Sequence, residues 1–188
     1  MNIPRYVTAA QIAAARLATD LIDSSRAKRL QAFRLRVLLG VLWTTGARIS
    51  EVLALRAVDV DWKMGIISIQ TLKRRKAMRR TLPLPSETLT ELSTLGVLGD
   101  VRGHERFFPF ERAQAHALIS RVLLAVGVPP ESARPHAIRH GHALHLISSG
   151  VPLNLIQQQL GHSSIVTTSH YLTATGDDLK RAYQAVKW

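Results

Sequence analysis

Four short segments of the sequence hold side chains that can do chemistry on a phosphate ester. They are Thr45-Gly46-Ala47-Arg48-Ile49-Ser50-Glu51, a basic run containing Lys73, Arg74, Arg75, Lys76, Arg79 and Arg80, Pro135-His136-Ala137-Ile138-Arg139-His140, and Leu160-Gly161-His162-Ser163-Ser164 running on to Tyr171. Each is ordinary alone. Arg48 and Glu51, three apart on a helix, make a surface ion pair as readily as a ligand site. His136 and His140 have metal-ligand spacing, but no carboxylate lies between Glu131 and Asp177 and no His-Glu-x-x-His pattern is present, so no metal is expected. Together the segments supply two arginines that stay charged, two imidazoles, a lysine and a phenol, the groups needed to cleave a phosphodiester without a metal. Arginine forks would hold the non-bridging oxygens, whose charge grows at the transition state. A phenol needs neighbouring cations or a base before it attacks, and the departing alkoxide needs an acid.

Positioning these groups requires a mainly helical scaffold. Thr8-Ala9-Ala10-Gln11 reads as a capping box that starts a helix running to about residue 20. A second helix spans 26–44, with Leu30, Phe33, Val37, Leu38, Val41 and Leu42 at helical spacing and Gly46 as C-terminal cap. A short helix over 48–55 follows. Runs 66–72 and 79–84 favour β-structure on either side of the basic turn, so the six cations fall at a hairpin tip, with Pro83 marking an edge or strand end. Further helices are expected over 86–95, 111–126, 135–149 and 152–160, the last three each ended by a glycine, then over 164–172 and 175–187. The fold class is mainly α with a small β-hairpin or sheet, in one domain.

The 188 residues carry 25 Lys and Arg against 13 Asp and Glu, a net charge of +12, which points to a polyanionic partner. Acids are missing between Asp61 and Glu87 and again between Glu131 and Asp177, so both stretches can face phosphate without repulsion. The second holds six of the eight histidines, and its charge is partly titratable. No cysteine is present, which excludes disulfides, thiolate nucleophiles and cysteine-containing zinc sites. Neither a signal peptide nor an apolar run long enough for a membrane is seen, so a soluble, unexported, cytoplasmic protein is expected.

In order and local text, the four segments resemble the tyrosine recombinase/integrase family of site-specific DNA recombinases, over about residues 6–175. The family hallmark of Arg, Lys, His-x-x-Arg, His or Trp, and Tyr reads here Arg48, Lys73 or Lys76, His136-Ala137-Ile138-Arg139, His162 and Tyr171. Thr45 to Glu51 and Gly161 to Tyr171 also look like family text. The resemblance implies a catalytic domain in which Arg48 and Arg139 clamp the scissile phosphate and Glu51 orients the site from behind. It further implies that Tyr171 attacks phosphorus to leave a 3′-phosphotyrosyl link, that Lys73 protonates the departing 5′-oxygen, that His136 moves the tyrosine's proton, and that His162 donates to a non-bridging oxygen. No cofactor is implied, neither ATP nor metal. The implied partners are double-stranded DNA at a specific site and other copies of the chain, in a tetramer that exchanges strands through a Holliday junction. Arg74, Arg75, Lys76, Arg79 and Arg80 are expected to contact DNA.

The sequence also departs from the family pattern. Gly141 stands where Thr is usual, followed by His142, which is expected to change the packing beside Arg139. The hairpin reads as less regular than usual, and of its lysines Lys73, at the strand end, is favoured over Lys76 as the acid. No room precedes Thr8 for an N-terminal helical core-binding domain, so the chain is expected either to be a catalytic domain alone or to be cut from a longer protein. Residues 176–188 form an amphipathic stripe, Leu179, Ala182, Tyr183 and Val186, that the resemblance sends to a neighbouring protomer. Two rivals stand beside this reading: a non-catalytic helix-turn-helix binder built on residues 152–172, and a type IB topoisomerase-like nicking and closing enzyme.

Overall fold

Helix α2 (Arg26–Thr45) organises the domain, because its second half is apolar almost all round: Leu35, Val37, Leu38, Leu39, Val41 and Leu42 are all buried. A helix of that kind must be wrapped by others, and in the computed structural model, which describes residues 6–19, 26–73 and 76–161, it packs against five of them. These are α1 (Ala9–Ala18), α3 (Ile49–Leu53), α4 (Ser86–Leu98), α5 (Arg112–Ala125) and α6 (Pro135–Ser148). A last described helix, α7 (Leu153–Leu160), packs on α6. Among the described residues, no helix is long and apolar enough to cross a membrane.

The expected elements are present over the described residues. Thr8 caps α1 through both halves of the capping box: its Oγ1 accepts from the Gln11 amide at 3.2 Å, and its own amide donates to Gln11 Oε1 at 3.0 Å. Arg16 of α1 binds Glu91 of α4 at 2.6 Å, and Glu91 also accepts from Arg36 of α2 at 3.0 Å, which ties three helices together. α4 runs three residues beyond the expected end. The stretches expected to be helical over 164–172 and 175–187 lie outside the described residues.

The sheet is three-stranded and antiparallel, in the order β1 (Val60–Asp61), β2 (Ile66–Lys73), β3 (Lys76–Pro83). Sequence patterning misses β1, whose two residues are too short to show an alternation. Ile67 and Ile69 of β2 point into the core with the period of two that a half-buried strand requires. The irregular hairpin expected from the sequence is not what forms. Pairing is unbroken from Ile66 opposite Pro83 to Lys73 opposite Lys76, and Pro83 is tolerated because it sits at the end of the outer strand.

Gly141 has a steric explanation. A Cβ at this position would lie 1.8 Å from the backbone oxygen of Val7, whose amide donates to the Ala137 carbonyl at 3.1 Å. The segment leading into α1 thus lies directly on α6, where only glycine leaves room. Next to it the rings of Tyr6 and His140 stack, with centroids 5.9 Å apart.

Candidate active site

The turn between α2 and α3 delivers the first arginine. Thr45 is buried and locks the turn by donating through Oγ1 to the Val41 carbonyl at 2.6 Å and accepting from the Ala47 amide at 3.2 Å. Gly46 then takes φ +61°, a left-handed conformation suited to glycine, and a Cβ there would meet His142 Cδ2 at 2.4 Å. The chain leaves this turn at Arg48, the N-cap of α3.

Glu51 sits behind Arg48 and is 6% exposed. Its carboxylate accepts from the Arg48 amide at 2.9 Å, from Arg48 Nη1 at 3.1 Å and from Arg80 Nη2 at 2.7 Å. Burial alone would raise the Glu51 pKa. The Arg80 hydrogen bond, the Arg48 amide and the two guanidinium charges outweigh it and hold the carboxyl below its ordinary value.

Arg80, expected to contact DNA, is turned inward instead. It reaches inward from β3, binding Glu51, the hydroxyl of Thr71 and, through Nε at 2.9 Å, the carbonyl of Gln159 in α7. One guanidinium thus joins the hairpin, the α3 carboxylate and the end of α7. Nothing in the sequence separates Arg80 from its neighbours except strand alternation, which puts it on the face opposite Arg79. Arg79 stays exposed and pairs with Asp59 at 2.5 Å.

Helix α6 brings the remaining described groups. Pro135 occupies its first turn, His136 lies on the cleft rim, and Arg139 is only 4% exposed one turn later. Arg139 donates to the Gly46 carbonyl at 2.7 Å and to the Leu160 carbonyl at 2.9 Å, fixing both the Arg48 turn and the end of α7. His136 is held below its ordinary pKa by partial burial, then by the charges of Arg139, Arg134 and Arg48. The shift favours the neutral imidazole, which can accept a proton. His142 is driven lower, to about 4, chiefly by burial. Its Nε2 lies 3.0 Å from the Gln159 amide nitrogen, which orders the floor under Gly46.

These elements enclose a cleft of about 240 Å³ lined by Arg48, His136 and Arg139 together with Arg112, His116 and Arg134. The last three are basic residues of the cleft that motif order does not mark. The signals that would have found them are the i, i+4 spacing of Arg112 and His116 and the N-cap position of Arg134. Lys73 closes β2 opposite Lys76, and α7 ends at Gly161 with φ +65°, directly before His162. Arg74, Arg75, His162 and Tyr171 lie outside the described residues.

A mostly helical domain whose cleft presents several guanidinium groups, with no carboxylate among its lining residues, is built to hold an oxyanion. Comparison with known proteins gives this class a family: a profile of the Phage integrase family matches residues 15–177, and the chain belongs to that family. Tyrosine recombinase XerD of Xanthomonas axonopodis pv. citri (strain 306) is 30% identical over 199 residues, covering 97% of this chain and 62% of that relative, so the chain spans less than two thirds of its length. The catalytic domain of bacteriophage HP1 integrase matches with a TM-score of 0.65 at 20% identity, over 98% of this chain and 95% of that one. XerH site-specific recombinase bound to palindromic difH substrate, in a post-cleavage complex, matches with a TM-score of 0.77 at 21% identity, over 98% of this chain and 54% of that one. The fold is that of a tyrosine recombinase catalytic domain.

Proposed function

We propose that the chain is a site-specific DNA recombinase that cuts and rejoins double-stranded DNA through a 3′-phosphotyrosyl intermediate. The observation that carries this is the convergence of Arg48 with His136 and Arg139, some 90 residues further along the sequence, on one cleft backed by Glu51. In the reaction, the Tyr171 oxygen bonds to phosphorus as the bond from phosphorus to the 5′-oxygen breaks. His136 takes the phenol proton, and Lys73 gives a proton to the departing oxygen. Arg48, Arg139 and His162 bear the charge on the non-bridging oxygens. Attack by a 5′-hydroxyl from a partner duplex reverses these steps and exchanges strands, conserving the ester energy. Four copies acting on paired sites, joined through residues 176–188, complete the proposal, with the bacterial cytoplasm as its setting. Arg74, Arg75, Lys76 and Arg79 are proposed to contact DNA around the hairpin.

The test is a denaturant-resistant protein–DNA adduct on nicked suicide duplexes drawn from a randomised library. Wild type should form it and Tyr171→Phe should bind DNA without forming it. Wild-type adduct levels in Tyr171→Phe would overturn the assignment of the nucleophile. Holliday-junction formation distinguishes strand exchange from simple nicking and closing.

A further inference from the structure

A second basic hollow, of about 530 Å³, lies between α2, the stretch after α3 and the loop before α5, and shares no lining residue with the cleft. Arg34, Arg56 and Arg106 line it, with His104 and Glu105. Its walls are held by backbone bonds. Arg56 and Arg106 form an isolated antiparallel bridge, flanked by Phe107 N–H donating to Leu55 at 3.1 Å and Ala57 N–H donating to Glu105 at 3.2 Å. Leu55 and Phe107 are buried, while both arginines are exposed.

Residues directly opposite on antiparallel strands project to the same side with Cβ atoms about 5 Å apart, and like charges so placed repel. The fold nevertheless sets two guanidinium groups there. A third, Arg34, arrives from α2 with its Nε buried and without a hydrogen-bond partner among the described residues. Gly99 makes space for it, since a Cβ there would come within 3.2 Å of Arg34 Nη2. The lining carboxylates leave the arginines in excess. Asp100 and Glu105 both line the hollow, two carboxylates against three arginines; Asp100 is bound by Arg102 Nε at 2.7 Å, and Glu105 accepts from the Arg102 amide at 2.9 Å. Asp100 also holds φ +49°, a conformation uncommon outside glycine, so the loop keeps a specific shape at the rim.

A buried guanidinium nitrogen without a partner among the described residues, a repulsive arginine pair on a fixed bridge and a polar hollow all suit an oxyanion. We propose that this hollow is a second phosphate-binding site, in which the Arg56 and Arg106 forks grip non-bridging oxygens above Arg34. The ligand is a phosphate group, borne either by a nucleic-acid backbone outside the cleft or by a small phosphorylated molecule.

Pyrophosphate titration by calorimetry at low salt tests the site on the full chain, and the cleft is weakened separately by Arg48→Gln. Arg48→Gln should retain a pyrophosphate site that the exposed double variant Arg56→Gln/Arg106→Gln weakens by at least tenfold, with Arg34→Lys weakening it several-fold. Isotherms for Arg56→Gln/Arg106→Gln that match wild type would overturn the proposal. So would a folded Arg48→Gln protein that binds no pyrophosphate. The source is read from anisotropy with a labelled duplex of mixed sequence. If DNA occupies the hollow, the double variant lowers the log–log salt slope by roughly 0.9 for each phosphate it no longer neutralises. An unchanged slope beside abolished pyrophosphate binding assigns the hollow to a small phosphorylated ligand.

Discussion

Arg48 and Arg139 line the same cleft under different constraints. The Arg139 residue is 4% exposed and donates to two backbone carbonyls, one in the α2–α3 turn and one at the end of α7. The Arg48 side chain is 42% exposed and is held by one carboxylate, Glu51. A buried guanidinium keeps its charge and needs acceptors around it to offset the loss of water, so Arg139 is part of the structure as well as of the site. Arg48 keeps most of its hydrogen-bonding capacity toward the cleft. Glu51 and Arg80 belong with Arg139: they form a buried pair that holds Arg48 in aim without facing the cleft themselves.

The sharpest way to break this contrast is to remove the carboxylate that serves both sides. Glu51→Ala leaves Arg80 buried without its anion, a loss of about 3–5 kcal/mol by the behaviour of broken buried pairs. The check is urea denaturation at pH 7, where a loss under 1 kcal/mol would mean that Arg80 finds another partner. The pair also carries a pH signature. Because the folded Glu51 carboxyl lies below its ordinary 4.5, its contribution is fully present above that pH and is lost as pH falls through the folded value. Glu51→Gln should flatten the acid limb below about pH 4.5.

Next in size is Arg139→Leu, which strands the Gly46 and Leu160 carbonyls. Removing donors from buried acceptors costs about 2–3 kcal/mol, and thermal denaturation should show the midpoint falling by roughly 5–10 °C for a domain of this length. A midpoint within 1 °C of wild type would show that the carbonyls are satisfied without it.

A smaller effect should come from His142 under the same turn. Its folded pKa of about 4 lies below the ordinary 6.5, so the unfolded chain binds the proton first as pH falls. Stability therefore rises with pH between about 4 and 6.5 and levels off above, with a contribution on the order of 2 kcal/mol. The His142→Gln substitution should remove that slope, whereas Glu51→Gln acts only further toward acid, so stability curves against pH tell the two apart.

How much of this was legible in the sequence divides between motif residues and contacts made by the fold. Residue type and order single out exposed Arg48 and His136, and buried Arg139 and Glu51 as well, before any fold is known. The capping box at Thr8 and the glycine stops were readable because they act through neighbours in sequence. Contacts that depend on the tertiary register were not. Arg80 looks like any other cation of the basic run, and its inward turn depends on a hairpin register whose regularity the sequence hides. Gly141 reads only as a departure until Val7 is seen lying against it. Arg112 and His116 needed the packing of α5 against the N-terminal end of α6 before they could be assigned to the cleft.

The smallest effect on stability, and the one that most sharpens the contrast, is expected from Arg48→Gln. The ion pair it breaks is an i, i+3 contact on a half-exposed side chain, a class worth no more than about 1 kcal/mol. Glu51 keeps its Arg80 partner and the Arg48 backbone amide, so its charge stays matched and the α3 cap stays closed. The catalytic loss should be far larger, because a donor aimed at developing charge is worth about 10²–10³ in rate. Measured side by side, Arg48→Gln should unfold within 1 kcal/mol of wild type, bind duplex DNA and form the covalent adduct at least a hundredfold more slowly. If the variant is instead as destabilised as Arg139→Leu, Arg48 is a structural residue too, and the division between a buried positioning layer and an exposed reacting layer fails at its central pair.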